Sequence, residues 1–208
     1  MNNLFSLLIS LLLIALTSCG KSKEVKIIAK NAATGTPYAG LEYAVVSSRT
    51  AANGEKYKTE ASGTLNSNGE AMVSIKQKSG RTYSIRVTEP ANTCYNKQIT
   101  QFFDSPFDVN GTFTFEFAAC AYLKFSVHNI ECINSNDQIK FRRLWMSKNE
   151  TNSFVTQSGC FQYQGDYFSL PMGDYIYEWE VKRMGMTNYY DSSFTLTPNQ
   201  YFEFNLNY

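Results

Sequence analysis

Apolar and polar residues alternate one for one through most of this chain, and that rhythm limits the fold more than any other feature. In Leu123-Lys124-Phe125-Ser126-Val127-His128 every second residue is apolar. Phe113, Phe115 and Phe117 are separated by Thr114 and Glu116. Tyr175, Tyr177, Trp179 and Val181 are interleaved with Ile176, Glu178 and Glu180, and Phe202, Phe204, Leu206 and Tyr208 with Glu203, Asn205 and Asn207. Successive side chains of a strand point to opposite faces, so this period predicts antiparallel strands with one buried and one wet face. No stretch of the body of the chain holds a helical period. An all-β protein is expected.

Turn residues punctuate the alternation at Asn53-Gly54, Asn68-Gly69, Ser79-Gly80, Asn110-Gly111, Gly165-Asp166, Gly173-Asp174 and Pro198-Asn199. They divide the chain into about seven strands over 24–118 and about seven more over 119–208. Segments of that length suit a seven-stranded sandwich of about 100 residues each. The expectation is two tandem seven-stranded antiparallel β-sandwiches, Ig-like or prealbumin-like. A repeat supports the division. Asn68-Gly69 leads through a strand to Gly80 and a second strand beginning near Tyr83; Gln164-Gly165 leads likewise to Gly173 and Tyr175.

The same residues carry a family resemblance. Thr34-Gly35-Thr36-Pro37-Tyr38-Ala39-Gly40-Leu41 resembles the opening of carboxypeptidase-regulatory-like and transthyretin-like modules. Gly165 through Leu170-Pro171-Met172-Gly173-Asp174-Tyr175 is similar to the second hairpin of those modules. The resemblance implies a prealbumin-like fold without catalytic residues of its own, and it names no ligand.

The N-terminus points to a compartment. Leu4 to Leu16 is thirteen residues without charge. That is shorter than the roughly 20 needed to span a bilayer but fits the apolar core of a signal peptide. Leu16-Thr17-Ser18-Cys19 follows, and it resembles the lipobox of bacterial lipoproteins. The resemblance implies removal of 1–18, acylation of Cys19, and 19–23 as a short lipidated tether. Gly20 in place of Asp implies the outer membrane rather than the inner, on its periplasmic or surface side. The membrane would be reached through the lipid anchor alone, which needs more than one chain for stable attachment.

Four cysteines remain: Cys94, Cys120, Cys132 and Cys160. An even number in an exported chain predicts disulfides, and no C-x₂-C pair is present to suggest zinc. Of the three connectivities, Cys94–Cys120 with Cys132–Cys160 is preferred because it keeps each loop within or at the edge of one unit. The net charge of +1 argues against nucleic acid and against a broad polybasic membrane patch. The single histidine, His128, lies on the polar side of its strand and leaves little room for acid–base chemistry. Asp104 to Gly111 gathers oxygen ligands, but without the spacing of a calcium loop it reads as a connection. Lys140 and Arg142 alternate with Ile139 and Phe141, so they form a wet strand face rather than a nucleic-acid patch. No metal or cofactor is expected.

Aromatic residues are the surplus. Residues 24–118 hold 11 of them and 119–208 hold 19. Core packing absorbs most, but Tyr189 and Tyr190 are adjacent, as are Tyr167 and Phe168, and only one of each pair can point inward. The second unit is therefore expected to expose a platform drawn from Trp145, Tyr163, Tyr167, Tyr189 and Tyr190 for a protein or glycan partner. Taken together, the sequence describes a non-enzymatic lipoprotein serving binding, adhesion or envelope assembly. A purely structural spacer is the first alternative, and an inhibitor or enzyme of the cell envelope the second. Cys19→Ser should abolish fatty-acid labelling and move the protein from the membrane to the soluble fraction; labelling that persists in the variant would refute the anchor.

Overall fold

A computed structural model describes residues 22–103 and 111–208. The apolar segment 4–16, Cys19 and the connection 104–110 lie outside the described residues. The chain is all-β. Its strands are β1 (Ser22–Asn31), β2 (Glu42–Ala51), β3 (Gly54–Thr64), β4 (Glu70–Lys76), β5 (Thr82–Val87), β6 (Thr93–Asn96), β7 (Thr100–Phe103) and β8 (Gly111–His128). They continue with β9 (Gln138–Trp145), β10 (Glu150–Thr151), β11 (Val155–Ser158), β12 (Gln162–Pro171), β13 (Gly173–Arg183), β14 (Met186–Leu196) and β15 (Tyr201–Asn207). One 3-10 turn, Met146–Lys148, follows β9.

Strand pairing repeats along the chain. β1 pairs antiparallel with β4 and parallel with β8. β8 in turn pairs antiparallel with β12 and parallel with β15. Facing these, β3-β2-β5-β7 forms one sheet, and β10-β9-β13-β14, with β11 also on β9, forms another. The turn-and-strand repeat read from sequence thus recurs in equivalent pairings: β4 and β12 flank the shared strand, and β5 and β13 each centre the opposing sheet. Gly69 and Gly80, with Asn199, hold positive φ at their turns as expected.

Gly165-Asp166 departs from the expected turn. Both residues lie inside β12, where the register with β8 shifts between Gln164 and Tyr167. A Cβ on Gly165 would come within 2.9 Å of the Phe125 carbonyl oxygen. The glycine therefore marks a bulge where two strands approach closely, not a chain reversal. Conversely, Met184-Gly185 closes the β13–β14 hairpin with both residues at positive φ, a turn the dipeptide did not announce.

The buried side chains fall into two clusters. One joins Val25, Ile27, Val73, Phe115 and Phe117 from one sheet to Val45, Tyr83, Ile85 and Phe103 from the other. The second joins Leu123, Phe125, Val127 and Leu206 to Ile139, Trp145, Tyr175, Tyr177 and Leu196. Burying each such side chain is worth roughly 1.5–3 kcal/mol. The period-two faces chosen from sequence supply these clusters: Phe115, Phe117, Tyr175 and Leu206 are all essentially inaccessible.

Both clusters hang on β8. Its 18 residues extend roughly 60 Å at strand rise, and the expected boundary between 118 and 119 falls inside it. Around that point Ala32 N–H donates to the Phe117 carbonyl, Met172 N–H to Ala119, and Asn199 N–H to Cys120. Tyr95 meets Trp145 edge-on at 4.9 Å. The Cys94–Cys120 disulfide ties β6 to β8 there, with Cα atoms 4.7 Å apart, and Cys132–Cys160 closes the far end of the second cluster. Both pairings are those preferred from sequence.

A charge clasp completes the junction. The Glu116 carboxylate accepts from Lys148 at 2.6 Å and lies 3.4 Å from Lys30. Burial alone would raise the Glu116 carboxyl, but Lys148 and then Lys30 outweigh it and hold the group below the usual range. The stabilisation is present above the unfolded carboxyl pKa and is lost as pH falls through the lower folded value. Glu116→Gln should therefore melt below the parent at neutral pH, and the gap should close below about pH 4. Melting temperatures from pH 3 to 7 test this, and a gap of constant size across that range would contradict it.

Candidate functional site

On the sheet of β9, β13 and β14, register sets out two kinds of row. Across the outer face, Tyr189 lies opposite Glu180, which lies opposite Lys140; beside it run Asp191, Glu178 and Arg142. Lys140 donates to Glu180 at 3.1 Å and Arg142 to Glu178 at 2.7 Å. Each ion pair is exposed enough to stabilise the sheet only slightly. Phe154, from the loop between β10 and β11, lies with its ring 4.2 Å from the Lys140 ammonium and 4.4 Å from the Arg142 guanidinium. Cations over an aromatic face are attracted by its quadrupole. The wet face expected for Lys140 and Arg142 is present, with an aromatic lid on it.

The alternate row carries Phe141, Trp179 and Tyr190, with the Trp179 and Tyr190 rings stacked 5.7 Å apart. β14 is an edge strand, so Tyr190 is half exposed there while Tyr189, on the opposite side of the same strand, is 73% exposed. A shallow cleft of about 520 Å³ is lined by Arg142, Phe154, Glu178, Trp179, Tyr189 and Tyr190 among others. It joins flat aromatic faces to paired charges, a composition suited to stacking and hydrogen bonding. A larger hollow of about 680 Å³ opens between β2, β3 and β5, where Tyr43 is the one aromatic side chain.

The platform predicted from sequence is divided by the fold. Tyr189 and Tyr190 do line one cleft. Trp145 does not belong to it: only 6% exposed, it packs in the core between Tyr95 and Tyr175. Its place on the inward face beside Ile139 already implied as much. Tyr163 leans on Phe125 instead. Tyr167 belongs to another patch, on the outer face of β12, β8 and β15, where it meets Tyr201 edge-on at 5.1 Å and Tyr201 stacks on Tyr122 at 4.6 Å. Phe154 and Trp179 were missed. Trp179 was assigned wholly to the core by its alternation, and Phe154 is a lone aromatic in the polar run Asn152-Ser153, the signal that could have found it.

Tyr167 is held by charge. Its hydroxyl donates to Glu203 at 2.9 Å, and Lys124 donates to the same oxygen at 3.2 Å. The Tyr167 bond, followed by Lys124, keeps the Glu203 carboxyl below its ordinary range, while the Tyr167 hydroxyl is raised chiefly by that bond. Burial pushes up Tyr175 and Tyr177, which lie beneath the sheet. His128 lies opposite Gln162 and Asn207 on the outer face of β8. Among the described residues no group of three or more His, Cys, Asp or Glu is placed to hold a metal ion.

No family model matches the chain, and no curated protein matches it in sequence. Among solved structures, the Bacillus anthracis TIE protein matches at 15% identity and a TM-score of 0.35, over 90% of this chain and 33% of that one. A streptococcal ancillary pilin matches at 14% and 0.34, over 91% of this chain and 63% of its own. The shaft pilin spaA of Lactobacillus rhamnosus GG matches at 9% and 0.36, over 90% and 98%. This chain therefore spans less than two thirds of the first two.

Glu203→Gln should lower the Tyr167 pKa toward the ordinary tyrosine value near 10, because the acceptor loses its charge. NMR titration of ring-labelled tyrosines reads this directly, and an unmoved Tyr167 would show that Glu203 does not control it.

Proposed function

We propose that this chain is a non-enzymatic lipoprotein of the outer membrane, acylated at Cys19. In this reading 24–118 and 119–208 form two tandem seven-stranded sandwiches, and the second presents a surface to a protein or glycan partner. The observation that carries the reading is the cleft of Tyr189, Tyr190, Trp179 and Phe154 on an edge strand, beside the Lys140–Glu180 and Arg142–Glu178 pairs. Aromatic side chains offer large contact area with few torsions to freeze, which is why such residues dominate binding surfaces. The uncharged run 4–16 ahead of Leu16-Thr17-Ser18-Cys19 supports the anchor.

A structural spacer is the second reading, favoured by the continuous β8 and its clasped junction. The two readings differ in whether the cleft is occupied in cells. A photoreactive phenylalanine analogue placed at Tyr189 should yield a discrete crosslinked adduct in intact cells, and one at Met72, an exposed site on β4, should not. Absence of any adduct from positions 154, 189 and 190 would overturn the binding reading and leave the spacer.

A further inference from the structure

The net charge of +1 conceals a division along the chain. Residues 22–118 carry eleven Lys and Arg against nine Asp and Glu, with Asp104 and Asp108 included, whereas 119–208 carry seven against nine. The basic residues of the first half concentrate at one end. β1 begins there at Ser22, opposite Lys76 at the close of β4. The chain turns at Ser79-Gly80 between Lys78 and Arg81, then enters β5 at Thr82, opposite Ser48. The β2–β3 hairpin continues beyond that level through Arg49 and its partner Lys56. Arg81 is engaged by Ser47 and Glu60. Arg49, Lys56, Lys76 and Lys78 are exposed and make no ion pair among the described residues. Close by, on the outer face of the same sheet, Tyr57 is 63% exposed, and tyrosine favours the headgroup level of a membrane.

This end is also where β1 begins. Cys19 precedes Ser22 by three residues, a reach of at most about 11 Å, comparable with the Debye length of roughly 8 Å at physiological ionic strength. An acylated Cys19 would hold these cations within the field of the headgroups. We infer that the tip formed by Arg49, Lys56, Lys76 and Lys78 docks on anionic phospholipid headgroups. The first half then stands against the bilayer, and the aromatic cleft of the second half points away from it. The inference rests on the lipid-anchor reading for its geometry, while the tip's affinity for anionic lipid is a property of the fold. Each basic side chain at an anionic surface contributes about fivefold in partitioning, so four together contribute several hundredfold.

The test uses the chain from Gly20 onward, which keeps every described residue and has no acyl chain. It should sediment with vesicles of phosphatidylcholine and phosphatidylglycerol at low salt, be released at about 0.5 M salt, and stay free of pure phosphatidylcholine vesicles. The variant R49Q/K56Q/K76Q/K78Q should lose at least a hundredfold in partitioning with an unchanged circular dichroism spectrum and melting temperature. K182Q, at the far end of β13, should partition as the parent does. Equal binding to both vesicle types, or full retention by the fourfold variant, would overturn the inference. Fatty-acid labelling of the full chain reads Cys19 without the tip, and the vesicle assay reads the tip without Cys19, so failure of either reading is seen separately.

Discussion

Everything in this molecule depends on one strand serving two cores. β8 offers both of its hydrogen-bonding edges twice, to β1 and β6 over its first half and to β12 and β15 over its second. Because a strand's backbone donors and acceptors must be paired when buried, the sheets on either side cannot swing independently without breaking this ladder. A flexible linker would leave the relative placement of the two halves to chance; a shared strand makes it part of the sheet. Small residues allow the crossing. Ala118, Ala119, Cys120 and Ala121 leave room for β6, for the Tyr95–Trp145 contact and for the turn at Gly173. A Cβ on Gly173 would meet the Trp145 indole nitrogen at 2.7 Å and Ser147 Oγ at 2.8 Å.

That stiffness gives position a meaning it would otherwise lack. Basic side chains collect at the end where β1 begins, and exposed aromatic rings collect on the far half. In a protein that flexed at its middle, the two ends would have no fixed relation. Here the distance between them follows from strand rise alone. The ion pairs on the outer faces are individually weak, and Phe154 lies over the same two cations, Lys140 and Arg142, that Glu180 and Glu178 pair with.

Much of the core was legible because it obeys a period of two. Phe115, Phe117, Tyr175, Tyr177 and Leu206 were all placed on inner faces by parity, and all are buried. Of the three possible disulfide connectivities, the one preferred for keeping each loop within or at the edge of one unit is present. Parity failed where a strand is irregular or ends at an edge. Gly165 has the composition of a turn but the environment of a bulge, and nothing local distinguishes them; the difference is a carbonyl contributed by Phe125, 40 residues earlier in the chain. Trp179 and Tyr190 have the parity of core residues, yet the core thins at β14, so their rings reach solvent. A whole-chain charge of +1 does not say where on the fold the charges lie, because summation discards position.

The sequence by itself determined the all-β character, the two-fold recurrence of turns and strands and most of the buried faces. Each is carried by residues close together or by a fixed local period. Only the tertiary structure decided that one strand runs through both cores, that Tyr167 and Tyr189 belong to different patches, that Trp145 is interior, and that four scattered basic residues meet at one end. Those facts depend on pairings between strands far apart in the chain, and register across such distances is set by the simultaneous packing of all the strands rather than by any one of them.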